Sequence, residues 1–433
     1  MERIKIQDLK DKIEKVVTVQ GFIHEIRDQS KVKFLLLRDN SGIVQLVALP
    51  ENKKVFDTIT KIPRESVLSV KGIVKEQKQA RPLGLEIHIN EFEVLSEADK
   101  DLPIQVVEKG EEPALPTRLD WRWIDLRKPK NFLIFKIWTD MEAAMREYWL
   151  ANGFTQIYTP KFVAGATESG AELFSLDYFG KKASLAQSPQ FYKQMAMAAG
   201  FERIFEIGPV FRANKSHTIR HDTEFTSIDI EVSYINSHED IMKIEEEWMA
   251  HTLKRIKEKY GDKIKEVFGV EVNVPKLPFP RITMAEAIAL LKKEYKHSCV
   301  GDLDPEGEKL LCEHFKKTQG HEFVFVKDWP LDVRPFYHMR ENGYSKSYDL
   351  LWKGMEITTG AQREHRYELL KKQAQEKKVD IKAIKDYLNF FKYGCPPHGG
   401  FGLSPSRVMM LLLGIKNVRE VTFLPRDTER LNP

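Results

Sequence analysis

Between residues 16 and 97 five short stretches alternate apolar with polar residues, and no long helical pattern interrupts them: VVTVQGFIHEIRD, KFLLLRD, IVQLVAL, SVLSVKGIVKEQ and LEIHINEFEVLS. A period of two marks strands with one buried face, and polar or glycine-containing turns separate them. Five such strands within roughly 80 residues predict a small closed barrel, of which the OB-fold is a common form, although a small sandwich would also satisfy the pattern. A brief helical segment is expected near residues 53 to 61.

At residues 98 to 130 prolines and charges break every periodicity, so this stretch reads as a linker or hinge. Residues 131 to 151 then space their apolar side chains as a helix, closed by Asn152 and Gly153. The expected organisation is therefore a barrel domain over 1–97, a hinge over 98–130, and a large α+β domain over 131–433 built on an antiparallel sheet flanked by helices. In that domain EFTSIDIEVSYI sets Ile228, Ile230 and Val232 on one face of a strand, with Asp229 and Glu231 on the other. The following HEDIMKIEEEWMAHTLKRIKEKY repeats Ile241, Ile244, Trp248 and Ile256 near helical spacing, a core-packing face.

Composition narrows the function class more than it specifies it. Charged residues make up 30% and apolar ones 42%, ordinary values for a folded domain, and 68 basic residues barely exceed 64 acidic ones. Net charge alone thus does not point to nucleic acid. Three cysteines, Cys299, Cys312 and Cys395, form no CxxC pair, which argues against a zinc site and a disulfide framework. The N-terminus is too charged for a signal peptide and the longest apolar run, VMMLLLGI, is too short to span a bilayer, so a cytoplasmic protein without a membrane partner is expected.

Three segments carry chemistry. FRANKSHTIRHDTEF, residues 211–225, joins two strands and concentrates arginine, histidine, lysine and acids between apolar flanks. In SYDLLWKGMEITTGAQREH a two-residue turn at Lys353-Gly354 places Leu351 opposite Glu356, with Asp349 on the same face; paired carboxylates there suit a hard cation such as magnesium, and exposed acids on a solvated sheet are the competing reading. That simple register does not bring Thr359 beside Glu356; a bulge or a different turn would be needed to do so. In HGGFGLSPSRVMMLLLGI, Ser404 is an N-cap and Pro405 the first helical residue, which puts Arg407 in the first turn, where a phosphate or a base is readily bound. The glycines match neither a P-loop nor a dinucleotide fingerprint.

Taken in order, FTQIYTPKFV around Pro160, FRANKSHTIRHDTEF and GGFGLSPSR resemble the three motifs of the class II aminoacyl-tRNA synthetases, most closely the aspartyl type of archaea. ATESGAELF, LAQSPQFYKQ and GAQREHR resemble that type's aspartate-pocket segments, and the similarity spans nearly the whole chain. The resemblance implies an aspartate–tRNA ligase that forms aspartyl-adenylate from L-aspartate and ATP with Mg2+ and charges tRNA(Asp). It implies a homodimer through the Pro160 segment, and no DNA partner. Arg212 would bind the α-phosphate, Arg220 and His221 the triphosphate, Phe225 would stack on adenine, and Arg407 would close the other side. Arg363 and Lys193 would take the substrate's side-chain carboxylate, Glu168 and Gln190 its amino group, and Glu356, Thr359 and Asp349 the magnesium. An asparagine pocket would leave the Lys193 charge unpaired, which favours aspartate.

In the barrel, Phe34, Gln45 and Glu86 resemble the anticodon contacts: an aromatic for stacking and polar groups for base edges. His24 and Pro82 resemble the pair found in relaxed enzymes that also charge tRNA(Asn). The chain departs from the family pattern at Asn214, where glutamate is usual in the second motif, and at Ser406, which precedes the third-motif arginine. Two alternatives remain open at this point: a tRNA-independent asparagine synthetase on the same fold, and a catalytically silent RNA-binding relative.

Overall fold

A computed structural model of the protein describes residues 2–107, 111–165, 173–215 and 218–433. Two compact units divide it, Met1–Asn131 and Phe132–Pro433. In the first, β1 (Val16–Asp28), β2 (Lys33–Arg38), β3 (Ile43–Ala48), β4 (Val67–Glu76) and β5 (Leu85–Ser96) form a closed barrel in the order β1-β2-β3-β5-β4, so the sandwich alternative is excluded. Val17, Val19, Leu35, Leu37, Leu46 and Ile87 fill it, each no more than 1% exposed. The short helix α1 (Lys53–Thr58) lies where helical spacing was expected.

The stretch 98–130 has more structure than its broken periodicity suggests. It holds the short helices Leu115–Asp120 and Arg122–Asp125, and the buried Asp125 carboxylate gathers Arg118 (3.2 Å), Arg122 (2.9 Å) and Lys128 (3.0 Å). Burial works against the charge on Asp125, yet these cations hold its pKa below the usual carboxylate range. Such a cluster leaves no hydrophobic periodicity to read.

The second unit is built on a nine-stranded sheet. Its strands are β6 (Thr155–Gln156), β10 (Arg203–Phe211), β11 (Glu224–Ser233), β12 (Arg281–Thr283), β13 (Phe323–Pro330), β14 (Arg340–Glu341), β15 (Tyr344–Trp352), β16 (Met355–Gln362) and β17 (His398–Leu403). Their order is β12-β13-β15-β16-β17-β11-β10-β6, with β14 on β15, and every pairing is antiparallel except β12·β13 and β10·β6. A smaller sheet orders β7 (Phe162–Val163), β9 (Lys181–Leu185) and β8 (Ser175–Tyr178). The helix α2 spans Pro129–Ala151 and gives way at Gly153, whose φ of 75° suits glycine.

One face of the large sheet is covered by α4 (His238–Phe268), α3 being Gln190–Ala198. Ile241, Trp248 and Ile256 of α4 are buried in the main core, with Ile244 packed at its margin, as the spacing predicts. From the same helix the fully buried Glu245 carboxylate meets the Tyr348 hydroxyl (2.7 Å) and the Thr358 hydroxyl. Any side chain at Gly360 would collide with Tyr348, so glycine is required there. Burial pushes the Glu245 pKa up to about 8; the two hydroxyls oppose the shift, and Asp349 and Glu246 add to it. Because the folded value lies above the unfolded one near 4.3, this group stabilises fully below that pH and the contribution is lost as pH rises through about 8. Glu245→Gln keeps the hydrogen bonds without the titration. The stability advantage of the natural protein over the variant is therefore expected to shrink between pH 5 and pH 9 in urea titrations. Parallel pH profiles would refute the assignment.

Candidate active site

The face of the sheet opposite α4 opens into a cavity of about 410 Å³. Its floor comes from β11, β16 and β17, which pair side by side with Asp229 opposite Gly402 and Glu231 opposite Gly400. A Cβ at Gly400 would strike the Glu231 carboxylate, and one at Gly402 would sit 3.1 Å from Asp229. The glycines of HGGFGL thus clear room over two buried acids and are strand residues, not a phosphate loop.

At one end, Arg363 donates from Nε to Glu231 Oε1 (2.9 Å), from Nη1 to His338 Nε2 (3.0 Å) and from Nη2 to the Gly400 carbonyl (3.0 Å). Lys193 of α3 reaches Asp229 Oδ1 (3.0 Å) and Glu231 Oε2 (3.2 Å). Burial would raise the Glu231 pKa, but Arg363 and then Lys193 hold it low; burial keeps His338 neutral, so its Nε2 accepts from the guanidinium. Two cations therefore face two anions. The expectation that Lys193 lacks a partner until a substrate carboxylate arrives is corrected: Asp229 and Glu231 already balance it. What remains selective is that Lys193 and Arg363 are donors only and suit a carboxylate better than an amide nitrogen. Gln190 lines this end and donates to Gln194 Oε1 (2.9 Å), whereas Glu168 lies outside the described residues.

The other end is assembled from the loop between β10 and β11, from β16, and from α9 (Pro405–Leu413), where α5 is Met284–Tyr295, α6 Pro305–Gln319, α7 Tyr367–Glu376 and α8 Lys385–Lys392. Ser404 caps α9 by accepting from the Arg407 amide, with Pro405 at the first position, as expected. Arg407 donates to the Glu356 carbonyl (3.0 Å) and approaches the Glu356 carboxylate (3.6 Å) and His221 Nε2 (3.4 Å). Burial and the neighbouring Arg407 lower the His221 pKa, so His221 is a neutral acceptor and adds no positive charge for a triphosphate. Arg212 faces the Phe225 ring, its guanidinium carbon 5.6 Å from the centroid. Arg220 also lines the cavity, but its guanidinium is tied to Glu308 of α6 at 2.8 Å. Asn214 and Ser406 line the wall too.

The β15–β16 hairpin turns at Lys353-Gly354 with φ of 48° and 87°, a pair of left-handed residues. Its register shifts between Leu350 and Leu351, which sets Leu351 opposite Glu356 and Asp349 opposite Thr359. That bulge lets the Thr359 hydroxyl donate to Glu356 Oε1 at 2.8 Å, the arrangement the simple register could not make. Glu356 and Thr359 line the cavity; Asp349 does not, and its Oδ2 accepts from Arg334 at 2.6 Å while its buried Oδ1 has no hydrogen-bond partner among the described residues. Burial pushes Asp349 up to about 7, with Arg334 opposing and Glu356 adding. A carboxylate, a hydroxyl and an unpartnered buried carboxylate oxygen form a hard oxygen set that fits magnesium. Arg334, Tyr337 and His338, from the segment VRPFYHM, were missed in the sequence because that stretch has no periodicity and no motif.

On the barrel, Leu35 and Leu37 take the core positions, so Phe34 points to the outer face, partly exposed and opposite Val47. Gln45 lies between Leu36 and Glu86, and its amide donates to Glu86 Oε2 (2.9 Å) while His88 holds Oε1 (2.8 Å). His24 is the bulged residue of β1; its Nδ1 accepts from Arg38 (2.7 Å), and burial, then Arg38, lowers its pKa. Pro82 is exposed in the turn between β4 and β5.

A closed five-stranded barrel joined to a largely antiparallel sheet, with arginines at both ends of its cavity, defines a two-domain protein equipped for anionic substrates. Residues 114–428 match the model for tRNA synthetases class II (D, K and N), and residues 17–95 that for the OB-fold nucleic acid binding domain. The chain belongs to the class II tRNA synthetases of the D, K and N type. It is 44% identical to the aspartate–tRNA(Asp/Asn) ligase of Methanopyrus kandleri, covering 96% of each chain, and 43% identical to the aspartate–tRNA(Asp) ligase of Pyrococcus abyssi, covering 97% and 96%. Among solved structures, asparaginyl-tRNA synthetase of Pyrococcus horikoshii with asparaginyl-adenylate superposes with a TM-score of 0.92 at 32% identity over 100% of both chains. Aspartyl-tRNA synthetase of Entamoeba histolytica gives 0.89 at 33%, covering 100% of this chain and 93% of that one.

Proposed function

We propose that the chain is an aspartate–tRNA ligase. It joins L-aspartate to ATP as aspartyl-adenylate with release of pyrophosphate, then transfers aspartate to the 3′ end of tRNA(Asp) and, through the relaxed pair His24 and Pro82, of tRNA(Asn). The observation that carries this reading is the donor-only pair Arg363 and Lys193, buried at one end of a cavity whose other end holds Arg212, Arg407 and Phe225. In this reading Arg363 and Lys193 anchor the side-chain carboxylate, and Gln190 and Glu168 hold the amino group. The α-carboxylate is thereby aimed at the α-phosphorus. As its oxygen bonds to phosphorus the bond to pyrophosphate breaks, and Arg212 and Arg407 neutralise the charge that builds on the phosphate oxygens. Phe225 supplies an aromatic face for adenine, and Arg220, once released from Glu308, a cation for the triphosphate; His221 holds Arg407. Glu356, Thr359 and Asp349 would hold Mg2+, whose chemistry is neutralisation of phosphate oxygens.

The relatives named aspartate–tRNA ligases and the match of the barrel to a nucleic-acid-binding fold support this reading over a tRNA-independent asparagine synthetase. Phe34, Gln45 and Glu86 would read unstacked anticodon bases from the outer face of the barrel. Exposed Tyr158 and Phe162 flank Pro160 and support pairing with a second copy there. Among the described residues no helix is long and apolar enough to cross a membrane, and we place the reaction in the cytoplasm, on RNA and not DNA.

Charging of purified tRNA(Asp) and tRNA(Asn) with labelled aspartate tests the proposal. Aspartylation of both is expected. Charging of tRNA(Asp) alone would remove the relaxed specificity and keep the ligase, whereas absence of aspartate-dependent ATP–pyrophosphate exchange would leave only the silent RNA-binding reading.

A further inference from the structure

We propose that Arg334 is a further substrate-binding cation, donating to an oxyanion of one of the two small substrates, a phosphate of ATP or a carboxylate of aspartate. The inference rests on the aspartate- and ATP-dependent reaction proposed above and adds a residue to it. Three observations lead there. The Arg334 side chain is 10% exposed, yet only one of its amino groups is engaged, on Asp349 Oδ2 at 2.6 Å, and its Nε is buried with no partner among the described residues. Its plane is held in place: the guanidinium carbon lies 3.8 Å from the centroid of Trp329, and that indole is itself fixed by Nε1 donating to the Val326 carbonyl at 2.9 Å. Finally, the Arg334 guanidinium side of this ion pair lines the cavity, whereas Asp349 is not among the lining residues.

A guanidinium evolved only to orient Asp349 would satisfy its donors on that carboxylate. Here donors are left over in a site that water would leave once substrates close it, and a buried unmatched donor is costly unless a ligand completes it. A planar fork stacked on an indole is suited to the paired oxygens of a phosphate or carboxylate. Arg334 also shares the cavity wall with Glu356, Thr359, Tyr337 and His338.

Full-length R334M and R334K proteins test the proposal through KM for ATP and for aspartate in ATP–pyrophosphate exchange, and through calorimetric ATP affinity without aspartate. R334M is expected to weaken one substrate about 10- to 100-fold, the range for losing a charge-assisted pair, with a smaller loss in R334K, which keeps charge without the fork. Weakening of ATP in both assays would identify the ligand as phosphate, and weakening of aspartate alone as carboxylate. The proposal is overturned if both KM values stay within twofold, or if only the half-saturating magnesium concentration moves, which would make Arg334 a holder of Asp349 alone. Should R334M fail to fold, R334K decides by the same criteria. A natural protein without aspartate-dependent exchange would sink the function itself, whereas an active one with indifferent variants would sink only this inference.

Discussion

Replacing Arg363 with leucine is expected to lower aspartate-dependent ATP–pyrophosphate exchange on the order of 10³-fold or more, because the proposed clamp for the side-chain carboxylate loses its guanidinium. The same change should reduce the unfolding free energy by about 3–5 kcal/mol, since Glu231 is left fully buried without its main partner. Lys193, 3.2 Å from Glu231, softens that penalty and sets the lower end of the range. The two effects separate in the double variant Arg363→Leu with Glu231→Gln: stability should largely return, and activity should not. Denaturant titration beside exchange assays reads both. If the single variant keeps its exchange rate while melting early, Arg363 is structural and the aspartate clamp lies elsewhere.

Arg212→Ala should behave in the opposite way. Arg212 donates from Nε to the Gln187 carbonyl (3.4 Å), holds its guanidinium 5.6 Å from the Phe225 ring and is only half-buried, unlike Arg363, so a smaller loss of stability is expected. Yet in the role proposed for it Arg212 acts where charge develops on the α-phosphate, and its removal should then cost kcat about 10²- to 10³-fold, on the scale of removing one oxyanion donor. Slowed single-turnover adenylate formation with a melting curve shifted less than that of Arg363→Leu is the expected pair of results. A raised KM for ATP at unchanged kcat would instead show that Arg212 binds the nucleotide equally in ground and transition states.

Much of this architecture is legible in the chain because its signals are local. The barrel strands announce themselves by alternation, and the cap at Ser404 followed by Pro405 sets Arg407 within three residues. The Lys353-Gly354 turn predicts the pairing of Leu351 with Glu356; at Thr359 the simple register leaves a bulge or a different turn open, and the structure has the bulge. The resemblance to a synthetase family extended this to Arg212, Lys193, Arg363 and Glu356, all of which line one cavity.

Pairings across the chain had no such signal. Arg363 and Glu231 lie 132 residues apart, Arg220 and Glu308 lie 88 apart, and whether a cation at either place is spent on an acid or open to a substrate depends on packing that no window of sequence contains. For the same reason His221 reads as a charge in FRANKSHTIRHDTEF and stands in the folded protein as a neutral acceptor beside Arg407. By itself the sequence determined the barrel strands, the long helices with a clear apolar spacing, the cap at Ser404 and the kinds of charge available, because backbone preference and periodicity act over a few residues. Only the tertiary structure decided which charges are matched, which carboxylates are desolvated and which cavity-lining guanidinium, Arg334, keeps a buried Nε without a partner among the described residues, because electrostatic free energy depends on distance and burial in three dimensions.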